Sequence, residues 1–222
     1  QAIGYPVFRL RGHYFAIATI AVGEIVQTLA INWDWAGGAR GLFVPIKRPD
    51  SFVNFQFHQS KAVYYYFALG LLLLALAVTR WFERSRHGYY FRAIREDQDA
   101  AASLGVHVAR EKHRAIAVSA ALTALGGTFY AQYVFFIDPE SVFPLSLSIL
   151  ICLIAVLGGV GTLWGPVLGA AVLVPLSEGT RVWLGGSGKA LDLLIYGGLI
   201  MVIATLQPAG LMGLARRFRK AR

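Results

Sequence analysis

Residues Tyr64 to Phe82 read YYYFALGLLLLALAVTRWF, Glu83 to Arg114 read ERSRHGYYFRAIREDQDAAASLGVHVAREKHR, and Ala115 to Phe136 read AIAVSAALTALGGTFYAQYVFF. The two flanking stretches are almost wholly apolar, and each is long enough as an α-helix to cross a hydrocarbon core of about 30 Å. A polar island held between two such spans lies on one side of a membrane. The fold expected is therefore all-α, a polytopic bundle of transmembrane helices.

The island is itself patterned. Between Tyr89 and Leu104 there is no Gly or Pro. Phe91, Ile94, Ala101 and Ala102 fall within an arc of about 100° on a helical wheel, with Arg92, Glu96 and Asp97 outside it. This predicts one short amphipathic helix from Tyr89 to Leu104, stopped at Gly105, which can take the left-handed conformation that ends helices. Two readings fit such a helix: a docking surface for a partner protein, or a segment that only tidies the membrane surface.

Composition points the same way. With 222 residues, 56% of them hydrophobic, and five Trp, the chain falls among polytopic membrane proteins, read as one membrane domain over residues 1–222. A net charge of +9 raises the question of nucleic acid, but the basic residues follow membrane sides instead of gathering with exposed aromatics on one face. Nucleic acid is not an expected partner; the lipid bilayer is. Cys152 is the single cysteine, which excludes an intramolecular disulfide and a cysteine metal cage.

In order along the chain, Tyr14 to Ile31 is a first span, apolar apart from Glu24, Gln27 and Thr28. Asn32 to Ala62 is a polar and aromatic loop rich in turn formers, expected on the face opposite the island. After the island and its flanking spans comes a brief acidic turn, Ile137 to Pro144. Leu145 to Leu176 is too long for one crossing, and Gly158, Gly159, Gly161, Gly165 and Pro166 interrupt it. It reads as a broken pair, Leu145 to Leu157 and Pro166 to Leu176, crossing twice or re-entering. A loop Ser177 to Lys189, a final span Leu191 to Leu206 and a basic tail within 207–222 complete the set.

Charge decides the orientation expected. With the broken piece crossing twice, the island (83–114) and the tail share a side. Fifteen of the 21 Lys and Arg residues then lie on that side, against Arg40, Lys47, Arg48, Lys61, Arg181 and Lys189 opposite. The positive-inside rule makes the island and the C-terminus cytoplasmic.

Candidate functional groups are few. Glu24 is a carboxylate well inside a span, with Gln27 and Thr28 on the same helical face and able to hydrogen-bond it. It is read either as a structural, hydrogen-bonded glutamate or as a group lining the translocation path. Ser119, Thr123, Gly127 and Ala131 recur every four residues, as do Gly161, Gly165 and Gly169, and such small-residue stripes serve helix packing or sliding. His13, His58, His87, His107 and His113 have no metal-ligand spacing, and ordinary surface roles are expected for them. Gly185 to Ala190 (GGSGKA) superficially looks like a phosphate loop but lacks its first Gly and its Ser or Thr after Lys189.

Several stretches together carry a family resemblance. Asp99 to Gly105 (DAAASLG) resembles the EAA-x-x-x-G loop of ABC-importer permeases, with Asp99 in place of the Glu. Leu10 to Ile17 (LRGHYFAI) with Gly23-Glu24-Ile25, Ala36 to Leu42 (AGGARGL), Leu157 to Ala170 (LGGVGTLWGPVLGA) and Gln207 to Leu211 (QPAGL) are similar in the same order to branched-chain amino acid ABC permeases of the M-type. Arg40 departs from that pattern, where a small polar residue is expected. The chain starts at Gln1, in a segment the family places well inside the polypeptide, so upstream helices are expected.

The resemblance implies a permease subunit of an ATP-driven importer in a bacterial inner membrane. It would carry branched-chain amino acids, or a small solute such as urea or a short amide, delivered by a periplasmic binding protein. It further implies two ABC ATPase subunits and a second homologous permease as partners, with ATP and Mg bound by the ATPases, no cofactor in this chain and no enzymatic activity of its own. Arg92, Arg95, Glu96, Asp99, Ala100, Ala101 and Gly105 then form the ATPase-coupling loop, Glu24, Gln27 and Thr28 are candidates for the path, and Gly158, Gly159, Gly161, Gly165, Pro166 and Gly169 serve packing and hinging. A stand-alone ion-coupled carrier or channel using Glu24 is the alternative, and a membrane scaffold or enzyme a third reading. Charge reversal at Arg95 with a bulky residue at Ala101 is expected to abolish ATP-dependent uptake while the protein stays folded in the membrane; normal uptake by that variant would sink the coupling reading.

Overall fold

A computed structural model describes residues 12–45 and 62–183, with Gly4, Gly198, Met212 and Gly213 as isolated helical positions. Apart from those isolated positions, the expected span Leu191 to Leu206, the basic tail, the GGSGKA segment and the loop residues 46–61 lie outside the described residues. The chain forms two compact units, Gln1–Leu145 and Ser146–Arg222.

In the first unit the first helix described in full is α1 (His13–Ile31). Its threonines do not leave hydroxyls bare: Thr19 Oγ1 donates to Ala16 O at 2.8 Å and Thr28 Oγ1 to Glu24 O at 2.9 Å, the arrangement a helix in lipid needs. Two 3₁₀ turns (Asp34–Ala36 and Gly38–Arg40) lead to a two-residue strand β1 (Leu42–Phe43). Then come α2 (Ala62–Arg84), α3 (Arg86–Glu96), α4 (Gln98–Ser103) and the long α5 (Val108–Val134). Strand β2 (Phe136–Ile137) and the short α6 (Pro139–Val142) follow.

Among the described residues, four helical stretches are long and apolar enough to cross a membrane: Tyr14–Ile31, Ala62–Arg84, Val108–Val134 and Pro139–Gly158. The third begins seven residues before the expected Ala115. Nothing between Gly105 and Gly126 breaks a helix, so the backbone continues helical into the charged segment that composition alone assigned to the island.

At the end of α5 away from the island, β1 pairs antiparallel with β2, Leu42 opposite Ile137 and Phe43 opposite Phe136. Val44 N donates to Phe135 O at 2.9 Å, and the Phe43 and Phe136 rings meet at 4.6 Å. Gly41 makes this approach possible: it has φ 72°, and a Cβ there would stand 2.6 Å from Ile137 O. The acidic turn is capped by Asp138, which accepts from Ser141 N at 3.1 Å at the start of α6. The described part of the loop after α1 is thus tied to the loop after α5. Nearby, Tyr64 at the start of α2 is buried edge-on against Phe129 and Tyr133 of α5.

In the second unit, α7 (Leu145–Gly158) and α8 (Gly165–Trp183) meet through their backbones. A Cβ at Gly158 would overlap the carbonyl of Gly165, and one at Gly169 would overlap the carbonyl of Ile154. Gly159 (φ 118°) and Gly161 (φ 77°) turn the chain between the helices, where Thr162 Oγ1 donates to Gly159 O at 2.8 Å. This close approach buries Leu157 and Leu173 to 1% exposure each. Helix α8 does not stop at Leu176 as expected but runs to Trp183 through Pro175. A proline removes one backbone donor, and the helix continues past it because the following residues keep their own donors and are free of glycine until Gly179.

The stripe Ser119, Thr123, Gly127 and Ala131 on α5 is largely exposed, and nothing lies within 4 Å of a Cβ placed on Gly127. Among the described residues it is not a packing seam, unlike Gly158, Gly165 and Gly169. Gly169→Ala is accordingly expected to destabilise the protein by about 1–3 kcal/mol through overpacking. Gly70→Ala, at an open position on α2, should be neutral or stabilising by up to about 1 kcal/mol. The midpoint for loss of monodisperse protein on heating in detergent checks both.

Candidate functional site

The site is built at the island end of α2. Ser85 interrupts the helix there: Ser85 N donates to Phe82 O at 3.1 Å and Ser85 Oγ to the same oxygen at 2.7 Å. The chain then folds back at once. Gly88 is buried, and a Cβ on it would stand 2.5 Å from the carbonyl oxygens of both Phe82 and Glu83. Only glycine lets the first turn of α3 lie this close to the last turn of α2. The Phe82 and Phe91 rings stack across the junction, 6.3 Å apart and 14° from parallel.

The single helix expected from Tyr89 to Leu104 is two helices. Asp97, at φ −152° and ψ 121°, breaks it, and its Oδ1 accepts from Asp99 N at 2.8 Å and Ala100 N at 2.9 Å. A short acidic side chain that can satisfy the orphan N–H groups of a new helix competes well against continuing the old one. Apolar periodicity alone does not register that competition. After α4, Gly105 takes φ 86°, and Val106 N closes the turn on Ala101 O at 3.1 Å.

Only part of the apolar arc points inward: Phe91 is half-buried and Ala102 is exposed. Ile94 is 8% exposed and Ala101 2% exposed, and α3 and α4 both pack on α5. A bulky residue at Ala101 would therefore break packing inside the chain, so the double variant conceived from sequence does not isolate coupling. What faces outward is mixed: Arg92, Arg95, Glu96 and Asp99 are exposed, and so are Tyr89, Ala100, Ala102 and Leu104. Arg92 lies over the Tyr89 ring at 5.9 Å, and Arg95 Nη2 meets Glu96 Oε1 at 2.9 Å. An exposed pair of that kind contributes about 0–1 kcal/mol, which leaves both charges available to another surface.

The sequence reading missed the group that holds the loop down. Glu111, in the first turn of α5, is 4% exposed. Its Oε2 accepts from His87 Nδ1 of α3 at 2.9 Å, and its Oε1 accepts from Arg114 Nη1 at 2.6 Å. The next residue, Lys112, donates through Nζ to Gln98 Oε1 of α4 at 2.9 Å. The pair Glu111 and Arg114, three residues apart on one helix, was a usable signal. The third member, His87, comes from 24 residues away through the fold-back at Gly88.

The path candidates fall elsewhere. Glu24 is exposed on α1, and its carboxylate makes no hydrogen bond or ion pair with any described residue. The expected bond from Thr28 goes to the backbone carbonyl of Glu24 instead, because a threonine four residues on reaches that oxygen within its own helix. Gln27 is part-buried.

Sequence comparison gives the class of this helical membrane chain. The sequence model of the family described as branched-chain amino acid transport system / permease component matches residues 1–204. The chain belongs to this family. It is similar to the high-affinity branched-chain amino acid transport system permease protein LivM of Salmonella typhimurium, 34% identical over 236 residues, covering 96% of this chain and 54% of that protein. The LivM of Escherichia coli matches with the same identity and coverage. A probable LivM of Methanocaldococcus jannaschii is 24% identical over 222 residues, covering 93% of this chain and 62% of that protein. The chain thus spans about half the length of the bacterial relatives. No solved structure matches it. It is a multi-pass membrane protein whose relatives are permease components of transport systems and not enzymes.

Because Asp97 caps α4, Asp97→Ala is expected to destabilise that short helix by about 1 kcal/mol and Asp97→Asn by much less. Hydrogen–deuterium exchange across residues 98–103 measures this, with about fivefold faster exchange expected in the alanine variant alone.

Proposed function

We propose that the chain forms part of a permease subunit of an ATP-driven importer for branched-chain amino acids. The observation that carries this reading is the family match over residues 1–204 together with the build of the island. Its apolar side is held on α2 and α5, while Arg92, Arg95, Glu96 and Asp99 stand outside. Such a surface suits a partner that pushes on it. The chain's own sequence holds no nucleotide-binding motif, so the force would come from two separate ATPase subunits that bind ATP and Mg.

In this reading the island and the C-terminus are cytoplasmic, in keeping with the excess of basic residues on that side. The opposite end, where β1 pairs with β2, would receive the amino acid from a periplasmic binding protein. A second, related permease would complete the path, and the face of α1 that carries the exposed Glu24 and Thr28, with the part-buried Gln27 beside them, is the part of this chain offered to it. The stand-alone ion-coupled carrier draws no support from relatives named as components of transport systems.

The test is an affinity pull-down of the intact protein from detergent. Wild type is expected to bring ATP-hydrolysing subunits and a second permease with it. Arg92→Glu with Arg95→Glu should lower ATPase recovery about tenfold or more, a loss of at least about 1.4 kcal/mol, while retaining the second permease. Recovery of the wild-type protein alone would overturn the reading.

A further inference from the structure

Consecutive residues at the start of α5 grip the two halves of the island separately: Glu111 holds α3 through His87, and Lys112 holds α4 through Gln98. Between the two grips lies the helix break at Asp97. A push on an island broken at this point would be absorbed by bending at Asp97 unless both halves were fastened to the same rod. We infer that Glu111 and His87 are positioning residues that make α3, α4 and the head of α5 move as one body, so that displacement of the island becomes displacement of a membrane-spanning helix. This rests on the ATP-driven reading of the island given above.

Three observations support the assignment. First, Glu111 is 4% exposed, and burying a carboxylate is costly unless it is fully paired, so a tie made only for adhesion would be better served by an apolar side chain. Secondly, both carboxylate oxygens are committed, Oε2 to His87 of α3 and Oε1 to Arg114 of its own helix. His87 Nδ1 serves as donor to Oε2, and Arg114 Nη1 takes Oε1 at 2.6 Å, its 3.3 Å approach to His87 Nδ1 being a close contact with a nitrogen already donating. Hydrogen bonds of this kind fix direction as well as distance, and so hold α3 in register against α5. Thirdly, the joint to α2 is of a different type. It is a tight backbone turn at Ser85 and Gly88 that fixes the pivot and leaves the lever arm to be held by α5.

The experiment reconstitutes the intact transporter, with its ATPase subunits, second permease and binding protein, in proteoliposomes. It measures radiolabelled leucine taken up per ATP hydrolysed, with the amount of assembled complex as a second readout. His87 is the informative position because it is only part-buried. His87→Ala should leave assembly and ATP hydrolysis within about twofold of wild type while lowering leucine per ATP about fivefold or more. His87→Gln, whose amide can still donate to Glu111, should restore the ratio. Adding Glu111→Gln to His87→Ala should lower the ratio no further, because the shared bond is already gone. The inference is overturned if His87→Ala keeps the wild-type ratio, or if uptake and ATP hydrolysis fall together with the amount of complex, as a purely structural tie would require. A wild-type complex that hydrolyses ATP but takes up none of leucine, isoleucine or valine would overturn the proposed function itself, and the inference with it.

Discussion

The absence of a side chain at Gly88 is the constraint on which the island depends. A methyl group there would press on the carbonyl oxygens of Phe82 and Glu83 at 2.5 Å, and α3 could no longer fold back along the end of α2. From that fold-back follow the Phe82–Phe91 stack, the burial of Ile94 and the meeting of His87 with Glu111. A polar loop of this length would otherwise trail in water. Here one backbone contact turns it into a platform with Ile94 and Ala101 buried beneath and Arg92, Arg95, Glu96 and Asp99 outside, beside the exposed Tyr89 and Leu104.

Lipid shapes the remainder. Most large apolar side chains of α1 and α2 are exposed, as expected where the surrounding medium is as apolar as a protein core and burial between helices gains little. Tight association must then come from dispersion and backbone proximity. Among its described residues the second unit meets that demand where Gly158, Gly165 and Gly169 bring α7 and α8 together and leave Leu157 and Leu173 no solvent. The first unit meets it with aromatic edges around Tyr64 and with polar ties at the island.

Much of this was legible in the sequence. Hydropathy placed α1 and α2 to within a few residues, because a membrane span is a long uniform signal. The glycines around 158–169 announced an interruption between α7 and α8 for the same reason that they permit it. The features that were not legible are those decided by competition or by distance. Asp97 ends a helix through hydrogen bonds invisible to apolar periodicity. The lower limit of α5 was misplaced because charge was read as loop, although Glu111 is buried by its partner from α3. The β1–β2 pair is two residues long on each side and depends on Gly41, so no alternation marks it.

Helix α5 joins these features. At 27 residues it measures about 40 Å. At its head Glu111 and Lys112 hold the island. At its foot Phe135, in the left-handed conformation at φ 61°, turns the chain sharply into β2, and its carbonyl accepts from Val44 N beside β1. A non-glycine residue in that conformation is held there by its surroundings, which in this case are the pairing of β2 with β1 and the Phe43–Phe136 contact. The helix is thus fastened at both ends by directional bonds, while the small-residue stripe along its middle is largely exposed among the described residues. A rod tied at both ends carries axial or tilting motion from one end to the other. In the proposed importer that would link a push at the island to the loops where the amino acid enters.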